Sequence, residues 1–303
     1  MAVTTRVRAG FLALIAASVL WGTTGTVASF LPDNVSPLAV GASTMGIGGV
    51  LLFLTSVRAS RRAFMDGAAR RWILIGAAGV IVYPLAFYSS MDQAGVAIGN
   101  VVSLGSGPVF AAIFEWLWER RGLSGRWLIA TVIAIVGITL LSTLGHADQS
   151  GGNSIPVGVL LGLLAGISYA LFTYASSRAI GAGHTGRGVT GAMFGTGALV
   201  LIPVLIVLGA PLVQSGTAIL LTTYLAIGPM FVAYILFGFG LTYIRSSSAT
   251  TVTLIEPVVA TILAVAIVGE RLTFLGWIAL TLILIGITVL ITARQPPKTG
   301  QSF

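Results

Sequence analysis

Stretches of about twenty apolar residues, almost free of charge, recur from one end of the chain to the other. They lie at about 9–30, 36–57, 71–90, 95–117, 126–144, 156–178, 188–208, 217–243, 247–268 and 273–293. Each is long enough to cross a hydrocarbon layer of about 30 Å as an α-helix. The same feature excludes a water-soluble fold. Of 303 residues, 56% are hydrophobic and 8% charged, where a soluble protein carries about 25% charged residues. So few charges could not cover the surface around so much apolar area. The longest connections, about 58–70 and 145–155, leave no room for a separate soluble domain. The expected fold class is an all-α polytopic membrane protein with ten transmembrane helices and the lipid bilayer as solvent. Arg6 and Arg8 precede the first stretch, but it is long for a leader and carries Thr23, Thr24 and Thr26, so it is expected as a retained helix.

Charge orients the chain. Basic residues number 16 and acidic 8. With the N-terminus in the cytoplasm, Arg6, Arg8, Arg58, Arg61, Arg62, Arg70, Arg71, Arg120, Arg121, Arg126, Arg178, Arg187, Arg245, Arg294 and Lys298 fall inside, and only Arg271 outside. Asp33, Asp92, Asp148 and Glu270 take outside loops. Short cytoplasmic loops carry an excess of Lys and Arg, so a bacterial inner membrane with both termini cytoplasmic is expected. The basic excess then reports topology, and no nucleic-acid partner is expected. Cysteine is absent, which excludes disulfides, thiolate metal sites and thiol nucleophiles. The single lysine, Lys298, lies in the tail, so no P-loop exists. His146 and His184 fall in connections, and no G-x-S-x-G motif is present. Neither an enzyme nor a resident metal or cofactor is expected.

Five stretches precede the loop at 146–153 and five follow it. At an offset of 149, Pro108-Val109 matches Pro257-Val258, Leu123-Ser124 matches Leu272-Thr273, and Gly137-Ile138-Thr139 matches Gly286-Ile287-Thr288. At an offset of 148, Leu20-Trp21-Gly22 parallels Ser168-Tyr169-Ala170. The order is collinear. Residues 9–144 and 155–293 are therefore expected as two five-helix repeats, and an odd helix number makes the second enter from the opposite side. The charges agree: Glu119, Arg120, Arg121 and Arg126 sit at the turn whose counterpart keeps only Glu270 and Arg271. Inverted repeats are a common build of secondary transporters, with the substrate near the midplane.

These motifs resemble the drug/metabolite transporter superfamily, EamA type. The residues that carry the resemblance are Leu20-Trp21-Gly22, Ser168-Tyr169-Ala170, Glu256-Pro257-Val258, and Gly269-Glu270-Arg271-Leu272-Thr273, with Gly107-Pro108-Val109 to Arg120-Arg121 as first-half counterpart. The first half departs from the pattern at Gly107 and Arg121, where the second has Glu256 and Glu270. Within the superfamily the chain is most similar to YddG-like exporters of aromatic amino acids. The resemblance implies a basket-like cavity built from spans one, three, four, six, eight and nine, with spans five and ten peripheral, and export as the direction of transport.

Two carboxylates lie within spans. Glu115 is one turn from a span end and reads as snorkelling to the interface, paired with Arg120 or Arg121. Glu256 lies near mid-membrane, directly before Pro257. It either caps donors around a broken helix or faces a cavity, where it binds an amino group or a coupling proton. The remaining substrate-binding candidates are Trp21, Tyr83, Phe87, Asn100, Ser103, Tyr169, Thr173 and Tyr234. Singly, each reads equally as packing or helix–helix bonding. As a set, three tyrosines at depth need hydroxyl partners that a central cavity would supply. Pro84, Pro108, Pro229 and Pro257 fall inside spans and are candidate helix-break and gating positions.

A carrier working by alternating access is thus expected. A channel or lipid scramblase is the alternative to a carrier, but no ring of like charge or filter-like run is present. The substrate partner is a small molecule. A lone acid among tyrosines suits a zwitterion or cation, and no basic residue lies in a span core for a phosphorylated anion. Aromatic or neutral amino acids lead, and cationic drugs are the alternative. Internal duplication lets one chain form the pathway, so a monomer suffices.

Overall fold

The computed structural model describes residues 2–32, 34–94, 96–120, 124–144, 154–268 and 273–292. Most of these residues are helical, with no strand among them. The helices are α1 (Ala2–Ala28), α2 (Pro37–Leu54), α3 (Val57–Met65), α4 (Gly67–Ala94), α5 (Val96–Glu119), α6 (Gly125–Leu144), α7 (Ile155–Gly181) and α8 (Gly186–Leu208). There follow α9 (Gly216–Leu225), α10 (Ala233–Tyr243), α11 (Ser246–Val252), α12 (Ile255–Leu263) and α13 (Phe274–Thr292). Among the described residues, seven helices are long and apolar enough to cross a bilayer, from Arg6–Ala28 to Ser246–Ile267. The stretches expected as spans four, five and ten carry α5, α6 and α13. The all-helical membrane fold is as expected. The loop at 146–153 lies outside the described residues, as do Asp33, Arg121, Asp148, Glu270, Arg271, Arg294 and Lys298.

Local chemistry sets the starts and breaks. The hydroxyls of Ser36, Thr185 and Ser215 each accept from the amide three residues on, capping α2, α8 and α9. Between α9 and α10 the chain widens into a π turn, Ala226–Val232, centred on Pro229. Span nine breaks at Thr253-Leu254, one turn before Pro257, where the proline ring prevents a regular helix. A second π turn, Ala264–Val268, follows. At Pro84 and Pro108 the helices run on unbroken. The connection expected at 58–70 is helical in part. In α3, Ser60 and Ala63 are buried against α8 while Arg58, Arg61 and Arg62 are exposed, an amphipathic spacing too short to span.

One end of the bundle collects the described arginines. Here Arg178 pairs with Glu119 at 3.4 Å, His184 Nε2 meets Asp66 Oδ2 at 2.8 Å, and Arg187 donates to the Thr55 carbonyl. The hydrogen bond from His184, with that of the Ala68 amide, holds the Asp66 carboxyl below its usual range. At the opposite end Asn34 donates to Gln214, and the Thr23 and Tyr224 hydroxyls meet at 2.8 Å.

The two halves pack mainly on each other: α4 on α7, α2 on α8, α6 on α13, α5 on α7, and α1 on α10 and α12. Exchanging each helix for its counterpart in the other half returns the same set of contacts. The repeated Gly-Ile-Thr marks one crossing. A Cβ on Gly137 would lie 2.9 Å from the Ala279 carbonyl, and one on Gly286 2.6 Å from that of Ala130. Only glycine allows α6 and α13 this approach.

Candidate functional site: an aromatic cavity around one carboxylate

A narrow cavity opens between the halves, with about 470 Å³ of empty space including its open mouth. Its walls come from α1 (Trp21, Thr24), α2 (Thr44, Met45), α4 (Tyr83, Pro84, Phe87, Tyr88), α5 (Leu104), α7 (Tyr169), the π turn (Met230), α10 (Tyr234) and α12 (Glu256). These positions lie at mid-helix or toward the end away from the arginines. The side chains toward the arginine end fill the bundle core.

The break in span nine presents Glu256. Its amide donates to the Thr253 carbonyl at 2.9 Å, closing the turn, and α12 then starts with Glu256 in its first turn. Its carboxylate has no hydrogen-bond or ion-pair partner among the described residues. Such a group is costly to hold in a membrane and is stabilised by a proton or a bound cation. Among the described residues no lysine or arginine lines the cavity. Gly22, next to Trp21, brings α1 onto this break: a Cβ there would lie 2.6 Å from the Val259 Cβ and 2.9 Å from the Glu256 carbonyl.

Rings make the floor. Tyr83 stacks on Phe87, centroids 5.4 Å apart, and sits 5.6 Å from Tyr169. Trp21 lies 5.0 Å from Tyr234 and 5.3 Å from Phe237. Two of these rings are tied to a helix irregularity. Trp21 Nε1 donates to the Pro229 carbonyl at 2.7 Å, in the π turn. The Tyr169 hydroxyl bonds Thr253 Oγ1 at 2.8 Å, at the break in span nine. The Thr24 hydroxyl is buried without a partner among the described residues, and Tyr83 and Tyr234 stand in the same wall. Tyr169→Phe is expected to cost about 1 kcal/mol, the usual worth of one such bond, and to loosen the break. A lower melting midpoint in detergent with the ring stack intact would show it.

Of the sequence candidates, Trp21, Tyr83, Pro84, Phe87, Tyr169, Tyr234 and Glu256 meet at this cavity. Ser103 and Thr173 are not among its lining. Both are fully buried, with hydroxyls lacking a partner among the described residues. Thr173 lies one turn beyond Tyr169 toward the arginine end, and Leu104, one residue on from Ser103, takes the wall instead. The Asn100 side chain lies outside the described residues. Pro108 does not line the cavity, Pro229 reaches it only through Trp21, and Pro257 borders the break. Span two was not expected in the wall, yet Thr44 and Met45 line it. Thr24 and Tyr88 were also missed. Thr24 lies three residues from Trp21, on one helix face, which was a usable signal.

Glu115 differs from its expected role. It is 5% exposed and does not snorkel. Its Oε1 accepts from Ser246 Oγ at 2.7 Å and from the Ser247 amide at 3.0 Å, and its Oε2 from Ser247 Oγ at 2.9 Å. Three donors at the start of α11 outweigh a path to water.

The model of the EamA-like transporter family matches residues 8–143 and again 156–292. The chain belongs to the EamA-like transporter family. This EamA-like chain is 32% identical over 291 residues to the "Uncharacterized transporter YwfM" of Bacillus subtilis, covering 96% of each. It is 26% identical over 290 residues to the "Uncharacterized inner membrane transporter YedA" of Escherichia coli, covering 93% of this chain and 90% of that one. With the "Uncharacterized inner membrane transporter YicL" of Salmonella typhimurium it shares 23% over 284 residues, covering 91% and 93%. A solved crystal structure superposes with a TM-score of 0.76 at 20% identity, covering 92% of this chain and 95% of the other, which shows the shared fold. Membrane transport is thus the activity class of this EamA-like protein. The family match does not extend to the YddG-like subtype.

Proposed function

We propose that the chain is a secondary transporter that exports small amine-bearing metabolites, aromatic or neutral amino acids foremost, by alternating access between two inverted five-helix repeats of ten spans. The carrying observation is Glu256, a carboxylate without a partner among the described residues, in an aromatic-walled cavity whose described lining holds no basic residue. The carboxylate receives the substrate ammonium. The hydroxyls of Tyr83, Tyr234 and Thr24 offer donors to a substrate carboxylate, and the rings take a flat side chain or a delocalised cation. The arginine end faces the cytoplasm by the positive-inside rule. The cavity then opens to the outside, as in an exporter about to release. The names of the YedA and YicL relatives support an inner-membrane location. Cationic drugs form the second reading, favoured by the same acid and rings.

Counterflow tests this. Proteoliposomes loaded with unlabelled tryptophan should accumulate labelled tryptophan, and other aromatic or neutral amino acids should compete while a sugar phosphate should not. Entry of a dicationic drug without tryptophan accumulation would replace the amino-acid reading by the drug reading. Influx with no response to trans substrate would point to a channel.

A further inference from the structure

We infer that Glu115 is a positioning residue of the transport cycle: its carboxylate holds the start of α11 against α5 and so keeps the cavity shut at the arginine end. The inference rests on the alternating-access reading above and on no choice of substrate.

The contact joins the halves. Glu115 belongs to α5, and all three of its donors belong to Ser246 and Ser247. Bonds to a buried carboxylate are stronger than neutral ones, so this is a firm clasp between two moving parts. It is also the first of a series. Further along the same segment, the Thr131 and Thr251 hydroxyls meet at 3.1 Å and those of Tyr169 and Thr253 at 2.8 Å. From Ser246 to Thr253 the broken span is therefore tied to α5, α6 and α7 in turn. Beyond the break it faces the cavity at Glu256 with no such tie. Opening the arginine end requires α11 to leave α5, and the Glu115 bonds are the ones nearest that end.

The repeat shows that this device acts on one side. At the offset of 149, the counterpart of Glu115 is Ala264, and the counterparts of Ser246 and Ser247 are Ala97 and Ile98. Those three counterpart positions therefore carry neither a carboxylate nor a hydroxyl. A carrier clasped at one end only rests with its cavity open at the other, and that is where this cavity lies.

The chain has no cysteine, so single cysteines report accessibility without background. Thr24→Cys reads the open cavity. Ala249→Cys, fully buried two residues beyond Ser247, reads the clasped side. Maleimide labelling of each is compared in membranes with Glu115 intact, with Glu115→Ala, with Glu115→Gln and with Ser246→Ala/Ser247→Ala. Glu115→Ala is expected to slow labelling at position 24 and speed it at position 249. The ratio of the two rates should shift about tenfold or more, a population shift between two states. Glu115→Gln should shift it less, because its amide oxygen still accepts from the Ser247 amide. The double serine variant should reproduce Glu115→Ala, and it carries the test if Glu115→Ala does not accumulate. An unchanged ratio overturns the inference. So does faster labelling at both positions, which is what mere loosening would give. So does a serine variant that behaves as the unaltered chain. Labelling needs no substrate, so failure of tryptophan counterflow and failure of the clasp are separate results.

Discussion

Glu256→Gln is expected to lower affinity for an amine-bearing substrate by about 100-fold, in the range measured when one partner of a desolvated charge pair is removed, and to leave the protein folded. The two halves of that statement come from one observation. The Glu256 carboxylate has no protein partner among the described residues, so the amide replaces no internal bond. Neutralising a half-buried acid that has no partner among the described residues relieves a desolvation cost, and the melting midpoint should hold or rise. The loss falls on the ligand alone, whose ammonium now meets an uncharged group in a low-dielectric cavity. Tryptophan counterflow and a parallel melting curve measure both quantities. Transport equal to that of the unaltered chain at every pH would remove Glu256 from the mechanism. Loss of transport together with a much lower melting midpoint would make it a structural residue instead.

Gly22→Ala is expected to abolish transport through packing, without touching the chemistry. The added methyl would stand 2.6 Å from the Val259 Cβ and 2.9 Å from the Glu256 carbonyl. Both neighbours belong to α12, and one is backbone, so no side-chain rotation makes room. Overpacking of this kind costs about 1–3 kcal/mol. Here the relief available is movement of α12 away from α1, which carries Glu256 out of the cavity wall. Val259→Gly added to Gly22→Ala removes the closest contact and should restore part of the activity. Full activity of Gly22→Ala with unchanged melting would mean that α1 and α12 do not meet as closely as described.

Much of this was legible in the sequence because the bilayer imposes simple rules. Length and hydropathy placed the helices. Collinear motifs located the repeat. Proline marked the break at Thr253-Leu254 and the wide turn at Pro229. For the cavity, the large or charged residues were the readable ones: Trp21, Tyr83, Phe87, Tyr169, Tyr234 and Glu256 are unusual enough at mid-span to need a reason. Thr44, Met45 and Met230 are ordinary membrane residues. Their place in the wall depends on how α2 and the π turn are rotated, and helix rotation has no signal in a segment apolar all round. Ser103 and Thr173 failed for the converse reason. A hydroxyl can be placed on a helix, but not on the side of that helix that meets the cavity. Glu115 was misread because its partners lie 131 and 132 residues away. Proximity along the chain pointed to Arg120 and Arg121.

The crossing of α6 and α13 has a consequence for how such a chain could arise. Each helix offers the other the same Gly-Ile-Thr, and each glycine meets a carbonyl of the opposite helix. The contact is self-complementary, like the interface of a two-fold symmetric dimer. A single five-helix polypeptide that inserted in both orientations could form this seam with a second copy of itself. Fusion of two such copies would then free each to diverge. On that view Glu256 and Glu115 are later specialisations: one copy acquired the acid in the cavity, the other the acid that clasps its closed end, and neither keeps the residue its twin came to need.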